Sequence, residues 1–167
     1  PICFGDGGNS PGCTPCPCGN DAPAGSLGGC LNESGRSAQA VGRGLASVSN
    51  DQLRFQLVGA NPNTFALLAS GDNALPAMGA CPPGSGLTSP VLNGLRCAGG
   101  NLIRHGARPT DANGDAGGTN NGWGFLSGPP GGLLAQGGFA AGQTRHFQIF
   151  YREEAVSLCM TGQNTTN

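Results

Sequence analysis

The chain has 167 residues, a formal net charge of −1 and a charged fraction of only 10%, and all its cations are arginines. This balance excludes the basic footprint of a nucleic-acid-binding protein, and no apolar stretch is long enough for a membrane span. Its 32 glycines and 13 prolines reach a share that is common in unstructured sequences. The apolar fraction of 37% indicates instead a folded domain in which glycine marks turns.

Cysteines are concentrated at the start of the chain. Residues 1–35 contain Cys3, Cys13, Cys16, Cys18 and Cys30, whereas Cys81, Cys97 and Cys159 are spread over the remainder. An even number of cysteines in a short chain is typical of a disulfide framework that forms in an oxidising compartment. We therefore expect an extracellular or cell-surface protein, with an irregular disulfide-rich cap over residues 1–35 and a body over residues 36–167.

The body contains an alternating segment over residues 52–58. It places Leu53, Phe55 and Leu57 on one face and polar side chains on the other, which is the pattern of a half-buried strand. Residues 64–69 predict a second strand, and the turn-forming residues between the two segments predict a hairpin.

Further short strands are predicted over residues 92–97, 101–108 and 144–152. The last of these is the clearest, because alternate positions are apolar at Phe147, Ile149 and Tyr151. No apolar stripe with helical spacing is longer than two turns. Short strands separated by turn signals predict an all-β fold, specifically an antiparallel β-sandwich or a jelly roll.

Asp111, Asn113 and Asp115 place three oxygen-bearing side chains at alternate positions, which is the spacing with which calcium loops surround one cation. They are candidate ligands of a structural calcium ion, and the sequence suggests no other cofactor. The glycine and glutamate that complete an EF-hand loop are replaced by Ala116 and Gly122. A turn rich in turn-forming residues is the alternative interpretation.

The titratable residues give no sign of an active site. His105 and His146 have no serine or cysteine motif beside them, and Glu153 and Glu154 would point to opposite faces of a strand. Catalysis requires titratable groups that converge. We therefore predict that the protein is not an enzyme.

Two features suggest contact with glycans. Trp123 and Tyr151 are aromatic residues of the kind that stack on sugars, although Trp123 could instead fill the core under a long loop. Asn32 and Asn164 each begin an Asn-X-Ser/Thr sequence and are candidate glycosylation sites.

Five short strings along the chain carry a resemblance to a known group of domains: Cys3-Phe4-Gly5-Asp6-Gly7, Cys16-Pro17-Cys18-Gly19-Asn20, Gly29-Cys30-Leu31-Asn32, Asn93-Gly94-Leu95-Arg96-Cys97-Ala98-Gly99-Gly100, and Phe150-Tyr151-Arg152 before Cys159. In order and spacing they resemble an uncharacterised family of secreted, cysteine- and glycine-rich bacterial β-domains. The resemblance implies export and a β-rich fold, but no activity. It also implies one more alternating strand after residues 164–167.

The resemblance implies a pattern of six cysteines, to which Cys13 and Cys81 are additions that we expect to pair with each other. Cys16 and Cys18 are too close to pair without strain. Our preferred hypothesis pairs Cys97 with Cys159 across the body and leaves the remaining four cysteines to pair within the cap. Zinc binding by Cys13, Cys16 and Cys18 is disfavoured because the second half of a zinc-finger motif is missing.

The function predicted from these features is that of an extracellular structural protein, a subunit of a surface filament or fibre. A sheet that lacks one strand exposes unpaired backbone groups, which recruit a strand from another copy. Repetition of such a contact makes a filament. A surface so poor in charge suits contact with other copies or a glycan coat. The alternative is a secreted carbohydrate-binding or adhesion module.

Overall fold

Antiparallel strands dominate the computed structural model, which describes residues 3–6, 15–76, 83–117, 122–124, 132–154 and 159–167. This confirms the predicted all-β class, whereas the sandwich or jelly-roll arrangement stays a prediction. In chain order, the elements found among these residues are β1 (Gln39–Arg43), β2 (Arg54–Val58), β3 (Phe65–Gly71), β4 (Asn73–Ala74), β5 (Ala98–Gly99), β6 (Ile103–Pro109), a short helix α1 (Gly132–Gln136), β7 (His146–Arg152) and β8 (Gln163–Thr165).

The largest sheet has four strands in the order β6-β3-β7-β8, and every neighbouring pair is antiparallel. A register shift interrupts the pairing of β3 and β6 between Leu67 and Ala69. Strands β1 and β2 form a separate antiparallel pair, and so do β4 and β5.

The hairpin predicted between residues 52–58 and 64–69 is wrong, although both segments contain a strand. β2 pairs with β1, whereas β3 pairs with β6 and β7. The reason is that Leu57 of β2 and Leu68 of β3 are both buried in one apolar cluster. The two strands therefore bring their apolar faces together from different sheets instead of sharing one sheet.

This apolar cluster, here called the aromatic core, lies between the β1–β2 pair and the four-stranded sheet. The rings of Phe55 in β2 and Phe147 in β7 stack with their centroids 4.5 Å apart. Trp123 fills the centre, and its indole Nε1 donates to the carbonyl oxygen of Gly106 at 2.7 Å. The buried members of the core are Ala38, Leu57, Ala60, Ala66, Leu68, Ala116, Trp123, Leu133, Ile149 and Tyr151.

A second cluster, here called the crosslinked layer, is built from Cys3, Cys16, Cys30, Leu95 and Cys97. Buried Gln148 of β7 joins this layer to the large sheet. Its Oε1 accepts from the backbone N–H groups of Cys97 and Ala98, and its Nε2 donates to the carbonyl oxygens of Leu95 and Thr166. All the hydrogen-bonding capacity of the amide is therefore used in fixing residues 95–98 against β7.

The disulfides of the described residues are Cys3–Cys97, Cys16–Cys30 and Cys18–Cys159. The predicted bond between Cys97 and Cys159 is therefore wrong. Cys16–Cys30 lies within residues 1–35 as expected, but Cys3 and Cys18 do not pair there. Cys3 donates its N–H to the carbonyl of Gly84, so it lies against a segment far along the chain and pairs with Cys97 there. The predicted pair Cys13–Cys81 lies outside the described residues.

None of the helices found in the described part of the chain has both the length and the apolar character that a membrane span would need.

Candidate functional site

The proposed calcium ligands form a turn. Asp111 Oδ1 accepts from the backbone N–H groups of Asn113 and Asp115, and these hydrogen bonds lower the pKa of Asp111. Asp115 Oδ1 accepts from the N–H of Gly59, which belongs to a different segment. Both carboxylates thus accept from backbone N–H groups. The alternative interpretation, a turn rich in turn-forming residues, predicts such contacts. Among the described residues, no three His, Cys, Asp or Glu side chains are grouped as metal ligands.

The sugar platform predicted at Trp123 and Tyr151 is wrong. Trp123 is 1% exposed and Tyr151 is 2% exposed, because both belong to the aromatic core. Burial raises the pKa of the Tyr151 phenol above its ordinary value. A ring that is covered on both faces by protein cannot stack on a ligand.

The two candidate glycosylation sites are also contradicted, because both amides are buried and bonded. Asn32 Nδ2 donates to the carbonyl of Gly59 at 2.9 Å. Asn164, which is 0% exposed, donates from Nδ2 to the carbonyl of Leu31 and to Glu153 Oε1. Attachment of a glycan at either nitrogen would require these segments to separate, so neither site can carry one in this fold.

Sequence reasoning missed a buried serine–histidine pair. Ser70 Oγ of β3 and His105 Nε2 of β6 lie 2.8 Å apart. Burial lowers the pKa of His105 to about 4, so the imidazole is neutral at physiological pH. Ser70 is 0% exposed, and in the part of the chain that the structure describes His105 Nδ1 has no hydrogen-bond partner. Ser70 and His105 are close enough for the histidine to activate the serine. However, Ser70 is closed to substrate, and no third group among the described residues orients His105, so the pair lacks what acyl transfer needs.

The strand edges provide a better candidate site. The edges of β2, β6 and β8 are covered or blocked, so an edge that is left open among the described residues stands out. The outer edge of β2 pairs with the segments at Ala116 and Trp123 through two hydrogen bonds each. At β8, Gln163 accepts from the N–H of Asn93. These contacts protect both strands from adding a further strand.

The edge strand β6 is protected in a different way. It carries Arg104, Arg108 and Pro109, and Gly106 adopts a positive φ of 88° at the irregular part of the strand. Charged side chains, proline and bulges are the features with which natural proteins block strand addition at an edge.

Between β1 and β7, a stretch of strand edge has no further strand paired to it among the described residues. The backbone N–H of Ala40 points away from β2 and donates to the side-chain Oδ1 of Asn167 at 2.7 Å, where a strand would offer a carbonyl. Because the direction alternates along a strand, the N–H of Gly42 points the same way. In β7, Ile149 N and O both bond Thr166. Phe147, two residues away, therefore directs its backbone groups towards the same side.

These two edges border a groove of about 380 Å³, here called the edge groove. Among the described residues, β1 pairs only with β2, and β8 covers β7 only at Phe150–Arg152. The lining residues are Ala40, Gly42, Phe55, Arg145, His146, Phe147 and Asn167. The edge groove can thus offer backbone donors and acceptors from two strands to an extended peptide.

Comparison with known proteins gives no match. No family model, no curated protein and no solved structure is similar to this chain. The resemblance to secreted bacterial β-domains therefore stays a prediction.

Proposed function

We propose that this protein is an extracellular structural subunit, and that copies of it join by adding an extended segment of one copy to the edge groove of the next. The edge groove is the observation that carries this proposal. It is bordered by strand edges at Gly42 and Phe147, and the other edges of β2, β6 and β8 are paired or blocked. Strand addition draws its affinity from main-chain hydrogen bonds, so it needs just such an open edge.

The crosslinks support an extracellular location. Three disulfides join segments that are 14, 94 and 141 residues apart in the chain. Such bonds persist in oxidising compartments and are rare in the cytosol. A subunit of a surface fibre is exposed to conditions that unfold many domains, and crosslinks of this length resist unfolding.

Assembly can be tested by light scattering and electron microscopy of the oxidised protein at high concentration. We expect oligomers or filaments that survive mild urea. Gly42→Pro removes an N–H that faces the edge groove, and proline is tolerated at such an edge position. We expect this variant to remain folded by circular dichroism and to be monomeric.

Ala141→Pro is a matched control, because Ala141 is the second residue of an exposed turn in which Gly142 has φ 83°. Proline suits this position of a type II turn, so the control should assemble like the original protein. A monodisperse monomer for the unaltered protein would remove the proposal. Normal assembly of Gly42→Pro would show that the edge groove is not the contact.

A second candidate function is carbohydrate binding or adhesion at a different place from the one that the sequence suggested. Phe65 is 58% exposed on the outer face of the large sheet, beside half-buried Leu67 and Phe150. With Arg152 and Gln163 at the rim, these residues line a groove of about 430 Å³. An apolar ring flanked by polar side chains is a suitable surface for a sugar.

This alternative predicts a monomer that binds insoluble polysaccharide in a pull-down assay. Phe65→Ala should abolish the binding, whereas Leu45→Ala, which removes another exposed apolar side chain, should leave it unchanged. Binding that survives Phe65→Ala would eliminate this face as the carbohydrate site.

A further inference from the structure

Arg145, which directly precedes β7, has a guanidinium group that is poorly satisfied. Its Nε and Nη1 atoms are buried and have no hydrogen-bond partner among the described residues. Nη2 makes a long contact of 3.5 Å with Oε1 of Gln143. The group lies 5.0 Å from the centroid of the Phe139 ring, which covers one of its faces. A guanidinium has five N–H donors, and the acceptor found for this one among the described residues is Gln143 Oε1, at the long distance given above.

Arg145 is half-buried, and burying two of its guanidinium nitrogens without acceptors is costly unless an anion pairs with the charge. Arginine stays charged in proteins, so it cannot relieve the cost by losing a proton. All nine acidic residues of the chain lie within the described ranges, and none of them bonds Nε or Nη1 of Arg145. The pKa of Asp72 is lowered mainly by hydrogen bonds from Asn101 and to a smaller extent by the charge of Arg145, but no carboxylate of the chain hydrogen-bonds these two atoms.

Arg145 also borders a cleft of about 780 Å³ between residues 46–53 and 139–147, here called the Arg145 cleft. Its volume is in the range of small-molecule sites. The walls are largely apolar and include Val48, Leu53, Leu134, Phe139 and Phe147. A mostly apolar cavity with one convergent charged group is the usual composition of a ligand site.

We infer that the Arg145 cleft binds a small apolar carboxylate. The carboxylate accepts from Nη2 of Arg145 in place of the Gln143 amide, and the apolar body lies against Phe139 and Leu53. Gln143 is exposed and its Oε1 otherwise accepts only from the N–H of Ala140 among the described contacts, so it can move aside. This inference is independent of strand addition, although Arg145 also lines the edge groove.

Calorimetric titration with phenylbutyrate and with its neutral amide, phenylbutyramide, tests the site. Both probes have the same apolar body, so a difference between them measures the contribution of the charge. A hydrogen bond to a charged group gives about tenfold in affinity or more, and we expect that preference for the carboxylate. Acetate, which lacks the apolar body, should bind much more weakly. Equal affinity for acid and amide, or no saturable binding of phenylbutyrate, would overturn the inference.

Two variants connect the preference to Arg145. Arg145→Gln should abolish the preference for the acid, whereas Arg152→Gln, at an exposed arginine at the opposite end of β7, should retain it. Gln143→Glu places a carboxylate where the amide now lies, at an exposed position that tolerates substitution. We expect it to raise the unfolding midpoint and to weaken phenylbutyrate binding by about tenfold or more. Unchanged binding by Gln143→Glu would contradict the inference even if Arg145→Gln failed to fold.

Discussion

The aromatic core and the crosslinked layer order their backbone by different means. In the aromatic core, strands with alternating apolar residues bury Leu57, Leu68 and Ile149 against one another. In the crosslinked layer, Leu95 is the one aliphatic member of the cluster, and the other members are cysteines. Apolar burial orders the segments that can form strands, and covalent bonds order the glycine- and proline-rich segments that cannot.

Buried amides contribute to this difference. Beside the crosslinked layer, the carboxylate of Glu153 accepts from the side-chain amides of Asn93 and Asn164 and from the N–H of Glu33. Asn20 donates to the carbonyls of Leu31 and Asn93. These contacts satisfy buried backbone and side-chain groups that have no partner in a sheet. They matter because an unpaired buried polar group is costly.

The largest expected effect comes from removing the crosslink that closes the longest loop, and the shortest crosslink provides the comparison. Cys18→Ala with Cys159→Ala opens a bond that spans 141 residues and should lower the free energy of unfolding by about 5 kcal/mol. Cys16→Ala with Cys30→Ala opens one that spans 14 residues and should cost about 3 kcal/mol. Urea unfolding of the oxidised variants measures both. The reverse order would mean that strain or local packing, not the length of the closed loop, governs the crosslinked layer.

The matching experiment in the aromatic core is Trp123→Ala. Trp123 is fully buried and bonded to Gly106, so the substitution leaves a large cavity and an unpaired carbonyl. It should lower the free energy of unfolding by about 4 kcal/mol, again from urea titration. Val48→Ala, at an exposed position, serves as the control and should change little. A small effect of Trp123→Ala would indicate that the crosslinks stabilise both regions.

The smallest effect concerns the pH dependence of the core. The pKa of His105 is 6.5 in its ordinary state and about 4 in the folded protein. As the pH falls through this window, the unfolded state binds the proton first, so stability decreases from pH 6.5 downward and is unaffected above it. The loss should be about 2 kcal/mol at about pH 5. His105→Gln should remove this part of the pH dependence, and a variant that retains it would assign the effect to other groups.

The sequence was sufficient for the strands whose apolar residues alternate. Residues 52–58 and 144–152 contain β2 and β7, because side-chain alternation is a local property. The short run predicted over residues 101–108 overlaps β6, which ends one residue later. Residues 92–97 lack the predicted strand. Gly94 there packs so closely against the side chains of Asn164 and Thr165 that a Cβ atom would not fit.

Properties that depend on distant partners were not predictable from the sequence. Cys3 pairs with Cys97, 94 residues further along the chain, and no local pattern encodes a contact at that separation. Ser70 and His105 meet because β3 and β6 pair in a register that places Ser70 opposite Ile103. Once that pairing is known the contact can be expected, but the sequence does not specify the pairing. Trp123 could equally have been exposed, since its loop-rich surroundings have no periodicity.

The central claim is that disulfides join the N-terminal cysteines to the body. Peptide mapping of the unreduced protein by mass spectrometry tests it most directly. The structure predicts crosslinked peptides that join Cys3 to Cys97, Cys16 to Cys30 and Cys18 to Cys159. A peptide that joins Cys97 to Cys159, or free thiols at these six positions in the native protein, would contradict it.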